Sequence, residues 1–383
     1  MTETWIDGAA AAARLGVKSQ TLYAYVSRGR IEARVDPEDS RKSLYRTQDL
    51  DRLAGRKARG RKAADVAQGA IAWGEPILAS AITTIDGGRL AYRGAEVTVL
   101  AETETLEQVA LRLWGGGDPG AFARPDAPRV RMRGSALARA LAAMAARAGD
   151  APPALGRSPE SLRQEGAGLI VDLAIALGDG AVDGPVHLSL ARAWGTEGAE
   201  ADLLRRALVV LADHELNAST FAARVTASTG AALSAAVLAG LATLSGPRHG
   251  GAGARVTALV QEAARLGAEP AVRAWIARGD EPPGFGHLLY PDGDPRAEAL
   301  LTHFRPSPEL LALKQAAEAV TGRQANIDFA LAALTDRLGL PPDAPFALFA
   351  LGRSAGWIAH AMEQIESGGL IRPRARYVEP GAA

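Results

Sequence analysis

The chain has 383 residues, of which 48% are hydrophobic and 22% charged, and its 43 basic residues are balanced by 43 acidic ones. That is the composition of a globular protein, with length enough to build a core without disulfide or metal staples. Cysteine is absent, which excludes disulfides, thiolate nucleophiles, iron–sulfur clusters and cysteine-type zinc sites, and accords with a cytoplasmic location.

At the N-terminus, MTETWIDGAAAAARLG has no basic stretch ahead of its apolar run, so no secretory leader is expected. Asp7 is placed to cap an Ala-rich helix that ends near Arg14, and Leu15-Gly16-Val17 makes a tight turn. Ser19 then caps a second helix that runs to about Ser27, before Gly29. Steps of about 100° along that helix put Ser19, Leu22, Val26 and Gly29 on one face, with Gln20, Ala24 and Ser27 opposite and Tyr23 at the edge. A hairpin follows from Ile31–Val35 and Ser43–Arg46 around a Pro37–Ser40 turn, and Thr47 caps a third helix.

Residues 1–51 thus resemble the winged helix-turn-helix of MerR-like and excisionase-type proteins, although any small three-helix unit shares the pattern. The resemblance implies DNA contacts from Lys18, Gln20, Tyr23, Ser27 and Arg28. From Met1 to Lys62 there are 14 Lys+Arg against 8 Asp+Glu, a net of +6, which leaves −6 for the remainder. The densest basic run, Arg52–Lys62, lies in a linker over 52–68 that is either simply solvated or able to touch phosphates. DNA is therefore a possible partner of residues 1–62, and no membrane is expected.

From about Asp65 onward, long Ala/Leu-rich helical patterns dominate: Leu162–Leu177, Ala201–His214, Ala231–Leu244, Val256–Leu266, Pro308–Thr321, Phe329–Leu338 and Phe346–Glu366. Only Ile77–Tyr92, with Asp86-Gly87-Gly88 between apolar runs, reads as a hairpin. The uncharged stretch Thr226–Pro247 has the length of a membrane span. It is rich in Ala, Gly, Ser and Thr, so it reads as one buried, closely packed helix. The expectation is a mostly α protein.

Three of the six histidines sit among glycines, prolines and polar residues: Asp213-His214-Glu, Gly246-Pro-Arg-His249-Gly-Gly251 and Pro283-Gly-Phe-Gly-His287. Such positions let backbone approach a ligand and hold an imidazole in one tautomer, though a histidine at a helix end more often caps carbonyls. Arg296, Arg353, Arg372 and Arg374 adjoin apolar or Gly/Pro stretches. Several planar guanidinium forks together suit a small polycarboxylate, and each alone suits a surface ion pair. Asp328 in Asn326-Ile-Asp-Phe stands before a helix, either as its N-cap or as a base.

Taken jointly and in order, the motifs resemble those of citrate synthase over roughly Ile71 to Tyr377. They are Ile85-Asp-Gly-Gly with Leu90-Ala-Tyr-Arg-Gly94, Asp213-His-Glu-x-Asn-Ala-Ser-Thr-Phe-x-x-Arg224, Gly246-Pro-x-His-Gly-Gly251 and Gly284-Phe-Gly-His-x-x-Tyr-x-x-x-Asp-Pro-Arg296. Asn326-Ile-Asp328 and Phe349-x-x-x-Arg-x-x-Gly-Trp-x-x-His-x-x-Glu-Gln364 complete the set, with Ile371-Arg-Pro-Arg374.

The resemblance implies a citrate synthase fold over 69–383, with large and small helical domains, the small one spanning approximately 255–345. It implies that His249, His287 and Asp328 are catalytic. His214, Arg296, Arg353 and Arg372 would hold oxaloacetate and citrate, with Arg372 reaching the partner's site in a homodimer. Acetyl-CoA or propionyl-CoA would be a co-substrate, with no tightly bound cofactor and no metal. His187, His303 and His360 are expected to be structural.

The sequence departs from the family at Gly253 and Ala254 after the His249 turn, at Leu288 and Pro291 where basic residues are usual, and at Ala330-Leu331-Ala332 after the Asp328 motif. These departures bear on acyl-CoA affinity. Three functions follow from the pattern: citrate synthase, 2-methylcitrate synthase using propionyl-CoA, or a DNA-binding metabolite sensor built on the same body.

Overall fold

The computed structural model describes residues 5–17, 19–27, 30–37, 39, 41–51, 78–123, 133–178, 182, 184–375 and 377. It divides into two units, Met1–Ala79 and Ser80–Ala383.

In the first unit Asp7 Oδ1 accepts from the Ala10 N–H at 2.8 Å, capping the helix Gly8–Leu15, and Gly16 closes that helix in the left-handed conformation. The second helix is Ser19–Ser27, and residues 47–51 are also helical. Strands Ala33–Val35 and Ser43–Arg46 pair antiparallel. Trp5–Asp7 adds a strand on the other side of Ser43–Arg46, which three residues without alternation did not announce. Ala11, Leu15, Leu22, Ile31, Tyr45 and Leu50 form the core. Gln20, Tyr23 and Ser27 are exposed, while Lys18, Arg28 and the linker after Asp51 lie outside the described residues.

The second unit opens with the antiparallel strands Thr83–Asp86, Arg89–Tyr92 and Ala95–Glu96, where Asp86 faces Arg89 across the Gly87-Gly88 turn. The predicted hairpin begins later than expected, and Ile77 lies outside the described residues. Among the described residues, the other elements of this unit are helical.

Two of the expected helices need correction. Ala201–His214 is helical only over Ala199–Leu211, so His214 stands free of the helix end. Thr226–Pro247 is not one helix: Ala218–Ser228 ends at Thr229-Gly230, and Leu233–Leu244 starts anew. Among the described residues no helix is long and apolar enough to cross a membrane.

Shorter helices such as Leu106–Leu113 and Pro295–Leu301 escape the search for long apolar periodicity. Their signal is in the caps. Thr105 and Gln108 form a reciprocal capping box, and Asp294 precedes a proline in the first turn.

One large hydrophobic core runs through the unit, and a second gathers Leu259, Val272, Phe285, Leu310, Leu313 and Phe329. The helix Ala344–Ser367 is buried along most of its 24 residues. Arg353, Trp357, His360 and Gln364 recur on it at helical spacing, a polar stripe in an otherwise apolar interior. Gly356 lies beside that stripe because the chain after Leu211 crosses in backbone contact. A Cβ there would meet Asp213 Oδ1 at 2.1 Å.

Candidate active site

The polar stripe of Ala344–Ser367 is matched to one facing stretch of chain. Arg353 Nε donates to the Leu211 carbonyl at 2.9 Å, and Trp357 Nε1 donates to Ser219 Oγ at 3.1 Å. His360 Nε2 meets Asp213 Oδ2 at 3.2 Å, and Gln364 Oε1 accepts from Arg224 Nε at 3.1 Å. The stretch between helices carries His214 and ends at Asn217, whose Oδ1 accepts the N–H groups of Ser219 and Thr220 and so caps the next helix.

Arg353 is buried, yet its Nη2 has no hydrogen-bond partner. Burial draws its pKa down to about 10, against the pull of Asp213 and with a further push from Arg296. A buried cation with an open donor is costly unless an anion completes it, so this corner is built to receive a negative group.

His249 lies in the turn Gly246–Gly251, where a Cβ on Gly250 would meet the Leu244 side chain at 2.6 Å. Its Nε2 sits 2.8 Å from Ser219 Oγ. Ser219 Oγ donates to Asn217 Oδ1 at 2.7 Å and accepts from Trp357 Nε1. Ser219 Oγ therefore ties His249 Nε2 to Asn217 and Trp357, which fixes the orientation of the imidazole. Burial, reinforced by Arg353, lowers the His249 pKa to about 4, so the ring is neutral near pH 7.

His287, Tyr290, Arg296 and Asp328 come from the other side. The loop before His287 is stitched to the segment before Asp328: Gly286 N–H donates to the Gln324 carbonyl, Asn326 N–H to that of Gly284, and Asn326 Nδ2 to that of Gly286. Asn326, not Asp328, is the N-cap of Ile327–Leu338. Its Oδ1 accepts from the Asp328 and Phe329 N–H groups. Asp328 therefore stands in the first helical turn with its carboxylate unused as a cap. Burial raises its pKa to about 6, with Arg296 opposing the shift.

The Leu289 N–H donates to His287 Nδ1 at 3.1 Å, which fixes the proton of the neutral imidazole on Nε2. Burial, then Arg296, lowers the His287 pKa to about 4. Arg296 is held differently from Arg353, since Nε and Nη2 grip both oxygens of buried Asp294 at 2.9 and 2.8 Å. Burial alone would raise Asp294, but Arg296 outweighs it and keeps the carboxylate ionised.

Six of the seven expected catalytic and substrate residues are brought together. The His214 and His287 rings lie 5.2 Å apart edge to face, and burial with the charges of Arg296 and Arg353 holds His214 well below the usual histidine range. His214 also senses His287 and His249, and Asp328 senses both arginines. Arg372 is exposed beyond Gly368 and is not joined to the cluster within this chain.

Asn217, Ser219, Tyr290 and Asp294 stand in the quoted motifs without an assigned role, which comes from side-chain contacts that the sequence does not state. Leu288 and Pro291 are both exposed, Leu288 at 74%, so no charge is added beside His287. No cluster fit for a metal ion occurs among the described residues.

The chain is similar to known proteins. The family model described as citrate synthase, C-terminal domain, matches residues 181–374. Citrate synthase 2 of Bacillus subtilis is 36% identical over 192 residues, covering 47% of this chain and 52% of that protein. In such matches the chain spans about half the length of the curated relative. The 2-methylcitrate synthase of Shewanella oneidensis is 29% identical across 86% of this chain and 96% of its own. Citrate synthase from Thermotoga maritima superposes with a TM-score of 0.64 and 27% identity, over 80% of this chain and 95% of that one. The Thermoplasma acidophilum citrate synthase, solved as a ternary complex with carboxymethyl coenzyme A and oxaloacetate, gives 0.65 and 27%, over 80% and 94%.

Proposed function

The chain belongs to the citrate synthase family, and we propose that it condenses acetyl-CoA with oxaloacetate to give citrate and CoA. The observation that carries the reading is the open, buried Nη2 of Arg353 among neutral imidazoles and a carboxylate of raised pKa. That combination suits an anionic keto acid beside a base.

A thioester methyl lies roughly 15 pKa units above a carboxylic acid, a gap of about 20 kcal/mol at about 1.36 kcal/mol per unit. Burial of Asp328 closes only about two of those units. The rest must come from stabilising the enolate oxygen, and a neutral His249 oriented by Ser219 is a suitable donor in a site sheltered from water.

Asp328 takes the methyl proton, and the enolate carbon attacks the ketone. His287 Nε2–H then gives a proton to the ketone oxygen, so the two transfers balance, and exchange with water resets both residues. Water finally hydrolyses the citryl thioester. Arg353 and Arg296 orient the oxaloacetate carboxylates around His214. This chemistry is proton transfer and charge stabilisation, and no tightly bound cofactor enters the proposal.

The full-length likeness to a 2-methylcitrate synthase favours propionyl-CoA as the competing donor. We further propose a homodimer in which Arg372 completes the partner's site and a lobe over about 255–345 closes on the substrates. The N-terminal unit is proposed as a winged helix-turn-helix; its exposed Gln20, Tyr23 and Ser27 support a groove-facing helix, as a DNA-binding metabolite sensor would also require. A gel shift at two salt concentrations checks this, with salt-sensitive binding expected and no binding overturning it.

The enzymatic proposal is tested by mixing the protein with oxaloacetate and either acetyl- or propionyl-CoA and following free CoA with a thiol reagent, to which a cysteine-free chain adds no background. CoA release that depends on oxaloacetate is expected; no release from either thioester at high protein concentration overturns the proposal.

A further inference from the structure

Tyr290 is 2% exposed, and its hydroxyl lies 3.0 Å from His214 Nε2. A buried phenol usually settles on backbone, as Tyr92 does here with the Val209 and Asp213 carbonyls and the Asp213 N–H. Tyr290 instead meets an imidazole. Its ring is 5.6 Å from that of His214 and 4.9 Å from that of His287, with the Arg296 guanidinium 5.4 Å from the ring centre. The Tyr290 N–H also donates to the His287 carbonyl at 3.0 Å, so one turn sets the spacing of tyrosine and histidine.

Two arrangements satisfy the contact, phenol donating to nitrogen or imidazole donating to oxygen. An imidazole nitrogen is far more basic than a neutral phenol oxygen, so the phenol donates. We infer that Tyr290 is a positioning residue, its hydroxyl holding His214 as the Nδ1–H tautomer so that a fixed N–H donor is offered to the keto acid. Without the hydroxyl, the His214 proton is free to settle on either nitrogen, and the donor is lost from part of the population. The inference rests on the condensation proposed above, because it assigns His214 to the same ligand.

The test is a double-mutant cycle with Tyr290→Phe, which keeps the ring stack, and His214→Gln. In the wild-type background Tyr290→Phe is expected to raise the KM for oxaloacetate about tenfold, the size of one lost hydrogen bond, with the KM for acyl-CoA unchanged. In the His214→Gln background it should add nothing, a coupling that a merely structural tyrosine would not show.

An unchanged KM, or the same tenfold loss in both backgrounds, overturns the inference while leaving the condensation standing. Wild-type protein that neither turns over nor binds oxaloacetate in calorimetry overturns both. Nitrogen NMR of wild-type protein gives a reading independent of the variants' folding. His214 Nε2 is expected as the unprotonated nitrogen, and a protonated Nε2 contradicts the assignment.

Discussion

The two sides of the site treat a buried arginine in opposite ways. On the His287 side, Arg296 and Asp294 neutralise each other through two parallel hydrogen bonds, and Asp294 Oδ2 also accepts the Ile327 N–H. That cation is part of the scaffold that holds the loops of His287 and Asp328 together. On the His249 side, Arg353 spends only Nε on backbone and keeps Nη2 open. Equal burial therefore yields two settings: one arginine is tied into the scaffold before it meets the substrate, and the other keeps Nη2 open for a ligand.

Asp328→Asn should have the largest effect. Loss of the base is expected to lower CoA release by about 10²–10⁴-fold, while oxaloacetate still protects against thermal unfolding. Protection follows because the arginines are untouched, and retained activity would show the base to be misassigned.

Substitution of the two arginines tests the comparison itself. Arg296→Met leaves Asp294 buried and unpaired, and a loss of about 3–5 kcal/mol of stability is expected in thermal or urea unfolding. Arg353→Met removes a guanidinium whose Nη2 is open and which Asp213 balances only at a distance, so a smaller loss of stability is expected while oxaloacetate binding weakens about 100-fold in calorimetry. Equal stability losses in both variants would erase the distinction. Ser219→Ala should lower kcat by roughly tenfold through loss of the hydroxyl that orients the His249 ring, with little change in the KM for oxaloacetate.

The smallest effect concerns pH. With its pKa raised to about 6, Asp328 must lose its proton to act, so kcat/KM should fall as the pH drops through about 6. A raised carboxyl pKa means that the folded state prefers the protonated form, so the cost to the fold grows as the pH rises from the ordinary value of 3.8 and is complete above about pH 6. Asp328→Asn should therefore be more stable than the wild type at pH 7.5 and lose that advantage only as the pH falls to about 4. Melting curves at the two pH values check the sign.

Much of this was legible because the motifs lie where caps and turns must be. Histidines flanked by glycines marked element ends, and the spacing Arg353, Trp357, His360, Gln364 already encodes one helical face. What a linear reading lacks is the partner across the gap. Nothing near Arg296 distinguishes it from Arg353 until Asp294, capping its own helix, is seen to reach back to the guanidinium. Likewise the role of Asn326 as the cap, which leaves Asp328 available, depends on a side-chain direction that sequence does not state. The Thr226–Pro247 stretch misled because uniform Ala and Gly content hides a break whose cause is local, at Gly230.

The central claim is carbon–carbon bond formation at this site, and it is tested most directly by following methyl-labelled [¹³C]acetyl-CoA with oxaloacetate and the purified protein by NMR. The label should pass into a methylene of citrate in step with CoA release. Label recovered as acetate, or left in acetyl-CoA, would contradict the account.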